Sequence, residues 1–312
     1  MIGLATYLRT TWTRGLGLFI TLARIMVPVM IAVRLAEIVG VVEALGALAG
    51  PLMAPVGLPP ELGLAWVACL LVGPPAGIAA MAVLSDPLTT AQVSTFATMM
   101  LIAHALPLES AIVARAGGSF WLNVALRAGG AYLFGILSHG VFSWTGWLSA
   151  PVDLSALGGG AASGWGAWLL SSFVLLASVF VILLTLLVVL DAMERVGLTA
   201  LFTWLLHPLL RVAGLGERTV PLVTVGMLLG LTYGAGLIIR EVDRGIPERD
   251  RALALAWLSL SHSVIEDTAL MLLIGASPWV VLGGRLLFTL LFVRVVVWVR
   301  DWRKMDTWEE QT

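Results

Sequence analysis

Histidines and carboxylates recur together in two apolar stretches of the chain, residues 101–127 and 259–285. Each stretch has one histidine followed closely by acidic residues: His104 with Glu109, and His262 with Glu266 and Asp267. The histidines are 262 − 104 = 158 residues apart, and Arg127 and Arg285 match at the same spacing. Ionisable side chains within apolar sequence of this kind usually mark function.

The chemistry expected of these groups is the binding of a cation or a polar solute. His262 and Glu266 are spaced i, i+4, which predicts that they share one face of a helix and act as a unit. Pro107 lies between His104 and Glu109 and predicts a kink or break in that helix. Transporters build midplane sites from such broken helices. The alternative is that imidazole and carboxylate only satisfy each other at a helix contact; their occurrence at two matched positions favours a functional site.

Two glycine-rich stretches precede the polar ones. Gly73, Pro74 and Pro75 cannot continue a regular helix, and Gly77 follows them. In the second half, glycines recur every fourth residue up to Gly234, next to Thr232 and Tyr233. Close helix packing explains such spacing. The other interpretation is unwound backbone that lines a cavity, with Thr232 and Tyr233 as solute contacts.

The two arginines allow two interpretations. Arg127 and Arg285 could pair with Glu109 or Asp267 across helices, or they could bind an anionic group. The predicted substrate-binding or ion-binding residues are therefore His104, Glu109, His262, Glu266, Asp267, Gly73, Gly77, Thr232, Tyr233, Gly234, Arg127 and Arg285.

The composition predicts an all-α integral membrane protein. Hydrophobic residues make up 59% of the 312 residues, charged residues 12%, and the mean hydropathy is +0.99. Apolar runs of helical length, without ten-residue alternation, favour helices over a β-barrel. A net charge of −1 gives no reason to expect nucleic acid as a partner. The motifs of metalloproteases, serine hydrolases and nucleotide-binding enzymes are missing, so we do not expect an enzyme.

The sequence predicts two related halves joined by a linker. Residues 1–148 form the first repeat with an N-terminal helix, residues 149–164 a Gly/Ala/Ser-rich linker, and residues 165–312 the second repeat with a cytoplasmic tail. We expect 8–10 transmembrane helices, with broken helices at the centre. The basic residues of the loop 240–251 and of the C-terminal tail favour inverted repeats and cytoplasmic termini, with parallel repeats as the alternative.

Short motifs in both halves resemble a known family. Residues 37–40 (EIVG), 48–53 (LAGPLM), 56–59 (VGLP) and 73–78 (GPPAGI) occur in the first half, and residues 194–197 (ERVG), 207–210 (HPLL) and 230–234 (GLTYG) in the second. They look like the Gate, or nucleoside-recognition, domain shared by concentrative nucleoside transporters, the membrane part of the FeoB iron transporter and the spore maturation proteins. The resemblance implies a helical permease with two related halves and a central site.

The resulting hypothesis is a secondary transporter or permease for a small polar solute, nucleoside-like or another organic molecule, in a bacterial-type inner (plasma) membrane. H⁺, Na⁺ or a divalent cation would be the coupling or transported ion, and no cofactor is expected. The partners would be the lipid bilayer and a small solute or ion. The protein could also form a homo-oligomer. One alternative is a divalent metal-ion transporter that uses His104, Glu109, His262, Glu266 and Asp267. Another is a regulatory membrane protein that keeps the fold without transport.

Overall fold

A computed structural model describes residues 4–40, 44, 51–81, 86–152, 154, 164–224, 226–228, 230–231 and 245–309. Thr232, Tyr233 and Gly234, expected as solute contacts, lie outside these residues. The described chain is helical and has no strand beyond an isolated antiparallel bridge between Thr89 and Pro151. The predicted all-α fold is therefore confirmed.

The described part of the first half contains six α-helices of eight residues or more: α1 (Leu4–Ile38), α2 (Leu62–Leu71), α3 (Pro74–Met81), α4 (Thr90–Ile102), α5 (Leu106–Arg115) and α6 (Phe120–Thr145). A short 3-10 helix covers Ala54–Val56. Helix α4 begins with a capping box, in which Thr89 and Gln92 bond each other's backbone N–H groups. Helices α2 and α3 are separated at Gly73, and α4 and α5 at residues 103–105, so the helix breaks fall where glycine and proline predict them.

The second half contains α7 (Trp165–Arg195), α8 (Leu198–Val212), α9 (Glu248–Leu260), α10 (Glu266–Leu273) and α11 (Arg285–Glu309). Residues 220–224, 226–228 and 230–231 are also helical. A 3-10 turn covers Glu217–Thr219, and a π-helical turn, Trp279–Gly284, leads into α11.

Backbone conformations recur between the halves at the spacing found in the sequence. Helices α4 and α9 have the same length and are offset by 248 − 90 = 158 residues. Positive φ angles occur at five matched positions. Three pairs are 157 residues apart, which are Gly40 and Gly197, Gly57 and Gly214, and Gly73 and Gly230. Two pairs are 158 residues apart, which are Ala105 and Ser263, and Gly117 and Gly275. Left-handed backbone is costly for all residues but glycine, so its recurrence reflects a shared local structure. The inverted orientation of the repeats stays a prediction.

Two apolar clusters form the core, and each includes residues from the other half. The first cluster is built mainly on α2 to α4 but takes in Met271, Ile274 and Val281. The second is built on α8, α9 and the helical residues after 219, and takes in Val113 and Ala116. The halves therefore share their cores, and the elements at their junction, α4, α6, α9 and the π-helical turn, pack on one another.

Three helical stretches of the described chain are long and apolar enough to cross a membrane: Thr90–Arg115, Phe120–Thr145 and Trp279–Trp298. Their mean hydropathies are 1.6, 1.3 and 2.2. The first of them includes the break between α4 and α5, and most of its apolar window is buried inside the protein. A broken helix surrounded by protein is what the bilayer tolerates, because its free backbone groups do not face lipid.

Candidate functional site

Both polar stretches form a break between two helices. The chain leaves α4 in an extended conformation and turns at Ala105, where φ is +42°; Ser263, with φ of +50°, is the corresponding turn after α9. Each turn is hydrogen-bonded to a helix earlier in the same half: the Ala105 N–H donates to the carbonyl of Cys69 on α2 (3.1 Å), and the Ser263 N–H donates to the carbonyl of Gly226 (3.3 Å). The two breaks are thus held in the same way.

The histidines of the two breaks meet at the junction of the halves. Each ring folds back on its own helix, with His104 Nδ1 at 2.9 Å from the Met100 carbonyl oxygen and His262 Nδ1 at 2.7 Å from that of Leu258. The Nε2 atoms face each other at 3.1 Å, and the ring centroids are 4.9 Å apart. Both side chains are buried. The sequence spacing therefore corresponds to a direct contact.

Glu109 connects the two histidines. One carboxylate oxygen lies 3.4 Å from His104 Nε2 and the other 3.3 Å from His262 Nε2. The second oxygen is also ion-paired with Nη1 of Arg127. This contact agrees with the interpretation that the arginine pairs with Glu109 across helices. All four side chains are buried, so the ion pair and the imidazoles are shielded from water.

The two arginines have equivalent positions at the ends of the broken helices. Arg127 Nε donates to the Ile102 carbonyl (2.8 Å), and Arg285 Nε donates to the Leu260 carbonyl (2.9 Å). Arg285 also donates from Nη2 to the carbonyl of Leu101 in the other half. Carbonyls in the last turn of a helix lack intrahelical partners and carry the negative end of the helix dipole, so a guanidinium stabilises them.

The acidic residues break the equivalence of the halves. The residue that matches Glu109 is Asp267, since 267 − 109 = 158. Asp267 Oδ2 lies 3.8 Å from His104 Nε2 and has no hydrogen-bond partner among the described residues; Arg285 Nη1 is likewise without one. Aspartate is one methylene shorter than glutamate. The ion pair of the first half is therefore not repeated in the second.

The prediction that His262 and Glu266 share one helix face and act as a unit is wrong. An i, i+4 pair shares a face only in continuous helix, and here α9 ends at Leu260 while α10 begins at Glu266. His262 lies in the break and contacts Glu109 and His104 instead. Glu266 is half-buried in the first turn of α10, where a carboxylate is favourable to the helix dipole.

The expected glycines have distinct roles. Gly73 forms the break between α2 and α3, with φ of +140°. Gly77 lies in α3, where a Cβ would come within 2.9 Å of both Met100 Sδ and Cys69 Cβ, so it permits close packing. Gly230 lies against the second break, because a Cβ there would be 3.2 Å from the Cβ of Ser263.

A buried hydrogen-bond chain beside the site has no signal in the repeat pattern. Asn123 Nδ2 donates to Ser110 Oγ (2.9 Å), and Ser259 Oγ donates to Asn123 Oδ1 (2.5 Å). These residues lie on α6, α5 and α9, so the chain joins the two halves. Asn123, an amide within an apolar span, was the one residue that could have indicated it.

Three side chains of the cluster have the atoms that could bind a metal ion. His104, Glu109 and His262 each offer one ligand atom, and these atoms lie within 4.8 Å of one another. Ligand atoms around tetrahedral zinc are about 3.3 Å apart, since each is about 2.0–2.1 Å from the ion. The distances suit this geometry, but the Arg127 guanidinium pairs with the only carboxylate of the set and places a positive charge beside it. The charge therefore fits a divalent ion poorly.

Comparisons with known proteins support the membrane fold. Residues 19–120 match the model of the Gate family, described as nucleoside recognition. The chain is 27% identical to an uncharacterized membrane protein, YvoD, of Bacillus subtilis (strain 168), over 97% of this chain and 95% of that protein. No solved structure matches the chain significantly. The resemblance to the Gate family is thereby confirmed for residues 19–120, within a chain that is similar along its length to a bacterial membrane protein.

Proposed function

We propose that the protein is a secondary transporter or permease, not an enzyme, that moves a small polar solute across a bacterial-type inner membrane with its termini in the cytoplasm. A proton or another cation would drive the transport. The observation that carries the proposal is the meeting of two helix breaks, one from each half, at a buried cluster of His104, His262 and Glu109. Transporters with related halves bind their ions between the halves at discontinuous helices.

The cost of burying these groups supports a role beyond stability. Burying a carboxylate and a guanidinium costs several kcal/mol for each ion, which their mutual attraction only partly offsets. An apolar pair of similar volume would pack the junction at least as well. Broken helices add a further cost because their free backbone groups must find partners. Retention of both features is the pattern expected of an ion-binding site in a membrane protein.

Uptake by proteoliposomes tests the proposal. Purified protein is reconstituted, and uptake of radiolabelled uridine, adenosine and an amino-acid mixture is measured with and without an inward proton or Na⁺ gradient. The expected result is gradient-driven uptake of at least one solute, lost in Glu109→Gln because the variant removes the buried negative charge. Glu217→Gln is the matched control, since Glu217 is exposed and pairs with Arg211 at the surface. Its uptake should equal that of the wild type.

Two results of the uptake measurement would contradict the proposal. If the wild-type protein takes up no solute above empty liposomes under either gradient, the transporter proposal fails and a regulatory membrane protein is favoured. If Glu109→Gln transports as well as the wild type, the buried cluster is not the site of coupling.

A further inference from the structure

We infer that His104 and His262 hold one proton between their Nε2 atoms, so that the pair carries a single positive charge. The inference rests on the proposed function, because it names the ion that the central site binds and the residues that bind it. The geometry points to the imidazoles, and not to the carboxylates, as the groups that hold the proton.

The backbone determines the tautomers of both rings. Each Nδ1 lies within hydrogen-bond distance of a carbonyl oxygen, at 2.9 Å for His104 and 2.7 Å for His262. A carbonyl oxygen can only accept, so each Nδ1 must carry a proton. In a neutral imidazole the other nitrogen is then an acceptor with a lone pair. Two neutral rings would thus direct two lone pairs at each other.

The distance between the two Nε2 atoms excludes that arrangement. At 3.1 Å they are within the range of an N–H···N hydrogen bond, and two lone pairs this close, in a buried site, repel each other. Changing the tautomer of one ring does not help, because its bare Nδ1 would then face a carbonyl oxygen. The contacts are satisfied by three protons on four ring nitrogens, with one proton shared between the Nε2 atoms.

The surrounding charges favour a proton over a divalent ion. The charged groups that face the pair are the carboxylates of Glu109 and Asp267 and the guanidinium of Arg127; Glu266 adjoins Asp267, and Arg285 lies within electrostatic range of Asp267 and Glu109. With neutral histidines these five groups sum to 2 − 3 = −1 when Glu266 is ionised and to 2 − 2 = 0 when it is protonated, since burial raises the pKa of Glu266 to about 7. One proton adds +1 and a divalent ion adds +2, so the proton leaves the site closer to neutral in both cases. The buried thiol of Cys69, on α2, adds no charge while it is protonated.

Glu109 is placed to stabilise the shared proton from the side. Its two oxygens lie 3.4 Å and 3.3 Å from the two Nε2 atoms, one for each ring. Glu109 can therefore stabilise the proton at either Nε2, although Arg127 pairs with the oxygen near His262 and Asp267 lies beside His104. The proton therefore belongs to the junction between the halves, and both repeats contribute to its binding.

Nitrogen NMR of histidine tests the inference in the resting protein, without any solute. The chain has only four histidines. Selective ¹⁵N-histidine labelling of the purified protein in detergent, with His139→Gln and His207→Gln as assignment variants, isolates the signals of the pair. His139 and His207 lie away from the site, and each has a surface partner, Ser143 and Glu217 respectively.

The expected spectrum has protonated Nδ1 nitrogens in both rings and two Nε2 nitrogens that resonate between the protonated and unprotonated positions, with a scalar coupling between them at neutral pH. In His262→Gln the coupling is lost and His104 shows an unprotonated Nε2. Two fully unprotonated Nε2 nitrogens in the wild type overturn the inference. So does about one Zn²⁺, Mn²⁺ or Fe²⁺ ion per chain, found by elemental analysis of the same chelator-washed sample.

These outcomes are separate from those of the uptake experiment. A missing shared proton overturns the inference and leaves gradient-driven uptake as it was measured. A shared proton in a protein without uptake leaves the inference intact and removes the transporter proposal.

Discussion

Arg127 is the residue on which the charge of the site depends. Its side chain is completely buried, bonds the Ile102 carbonyl and pairs with Glu109. Removing one partner of a buried ion pair leaves the other charge without compensation. The arginine therefore stabilises the carboxylate and, through it, the contact between the two histidines.

We expect Arg127→Met to reduce the free energy of unfolding by about 3–5 kcal/mol, because Glu109 would remain buried and charged. The midpoint of thermal unfolding of the purified protein in detergent measures the loss. Adding Glu109→Gln to this variant should restore part of the stability, since it removes the uncompensated charge.

The matched control is Arg211→Met, which breaks an exposed ion pair with Glu217. Exposed pairs contribute about 0–1 kcal/mol, so this variant should unfold close to the wild type. Equal losses for Arg127→Met and Arg211→Met would contradict a special role for the buried pair.

At this scale the matched spacing of the sequence predicts most of the contacts in the buried cluster, but one partner differs. His104, Glu109, His262 and Arg127 were expected from their matched spacing, and they are in contact. The i, i+4 spacing of His262 and Glu266 predicts a contact only if the helix is continuous through residues 261–265, where the structure has a break. That break contains no proline and no glycine, so local sequence gave no sign of it, and tertiary contacts with the helix at 226–227 determine it.

The helix breaks are the elements that position the site, and their backbone is strained at one residue each. Ala105 has φ of +42° and ψ of +39°, a left-handed conformation that costs roughly 1–2 kcal/mol for a residue with a Cβ. The strained turn places His104 at the junction of the halves, where its ring contacts that of His262.

We expect Ala105→Gly to raise the midpoint of unfolding, by a gain of roughly 0.5–1 kcal/mol, because glycine adopts this conformation without steric cost. Ala103→Gly is the control in the same break. Ala103 is extended, with φ of −131°, and completely buried, so glycine there only adds freedom to the unfolded chain and removes packing. A loss of stability in both variants would show that the turn at Ala105 is not strained.

The helix ends could be predicted from the sequence where glycine or proline interrupts a helix. Pro107 and Gly73 predicted the breaks that occur at residues 103–105 and between α2 and α3. Arg34 and Glu37 interrupt the apolar sequence after Val33, yet α1 continues through them to Ile38. A few charged residues at the end of a long apolar helix do not stop it, since they can extend to the polar face of the membrane.

At the scale of the whole molecule, the two halves are joined by side chains as well as by shared cores. Asn123 on α6 bonds Ser110 of its own half and Ser259 of the other. An apolar interface alone would allow the halves to slide, because apolar contacts have little directional preference. Buried hydrogen bonds specify one alignment.

We expect Asn123→Ala to reduce the free energy of unfolding by about 1–3 kcal/mol, since the buried Ser110 hydroxyl loses its donor and Ser259 keeps only its bond to the Leu255 carbonyl. Faster hydrogen–deuterium exchange in α9 should accompany the lower unfolding midpoint. Ser143→Ala is the control, because its hydroxyl contacts the exposed His139 on the same helix. Unchanged exchange in α9 on removing Asn123 would show that the alignment of the halves does not depend on this chain.

The duplication was visible in the sequence, and its spacing corresponds to the matched turns and contacts of the structure. The sharing of cores was not visible, since apolar residues do not reveal which neighbour they contact. The orientation of the halves, the 8–10 spans and the solute stay predictions, because charge in a few loops is their main support.

The difference between Glu109 and Asp267 makes the two halves unequal in charge at their junction. With a glutamate at both positions, each half could pair its own arginine with a carboxylate beside the two histidines. The shorter Asp267 leaves the ion pair to the first half, and Asp267 Oδ2 and Arg285 Nη1 have no hydrogen-bond partner among the described residues. The two repeats are therefore not interchangeable at the histidine contact, and substitutions at matched positions need not have equal effects.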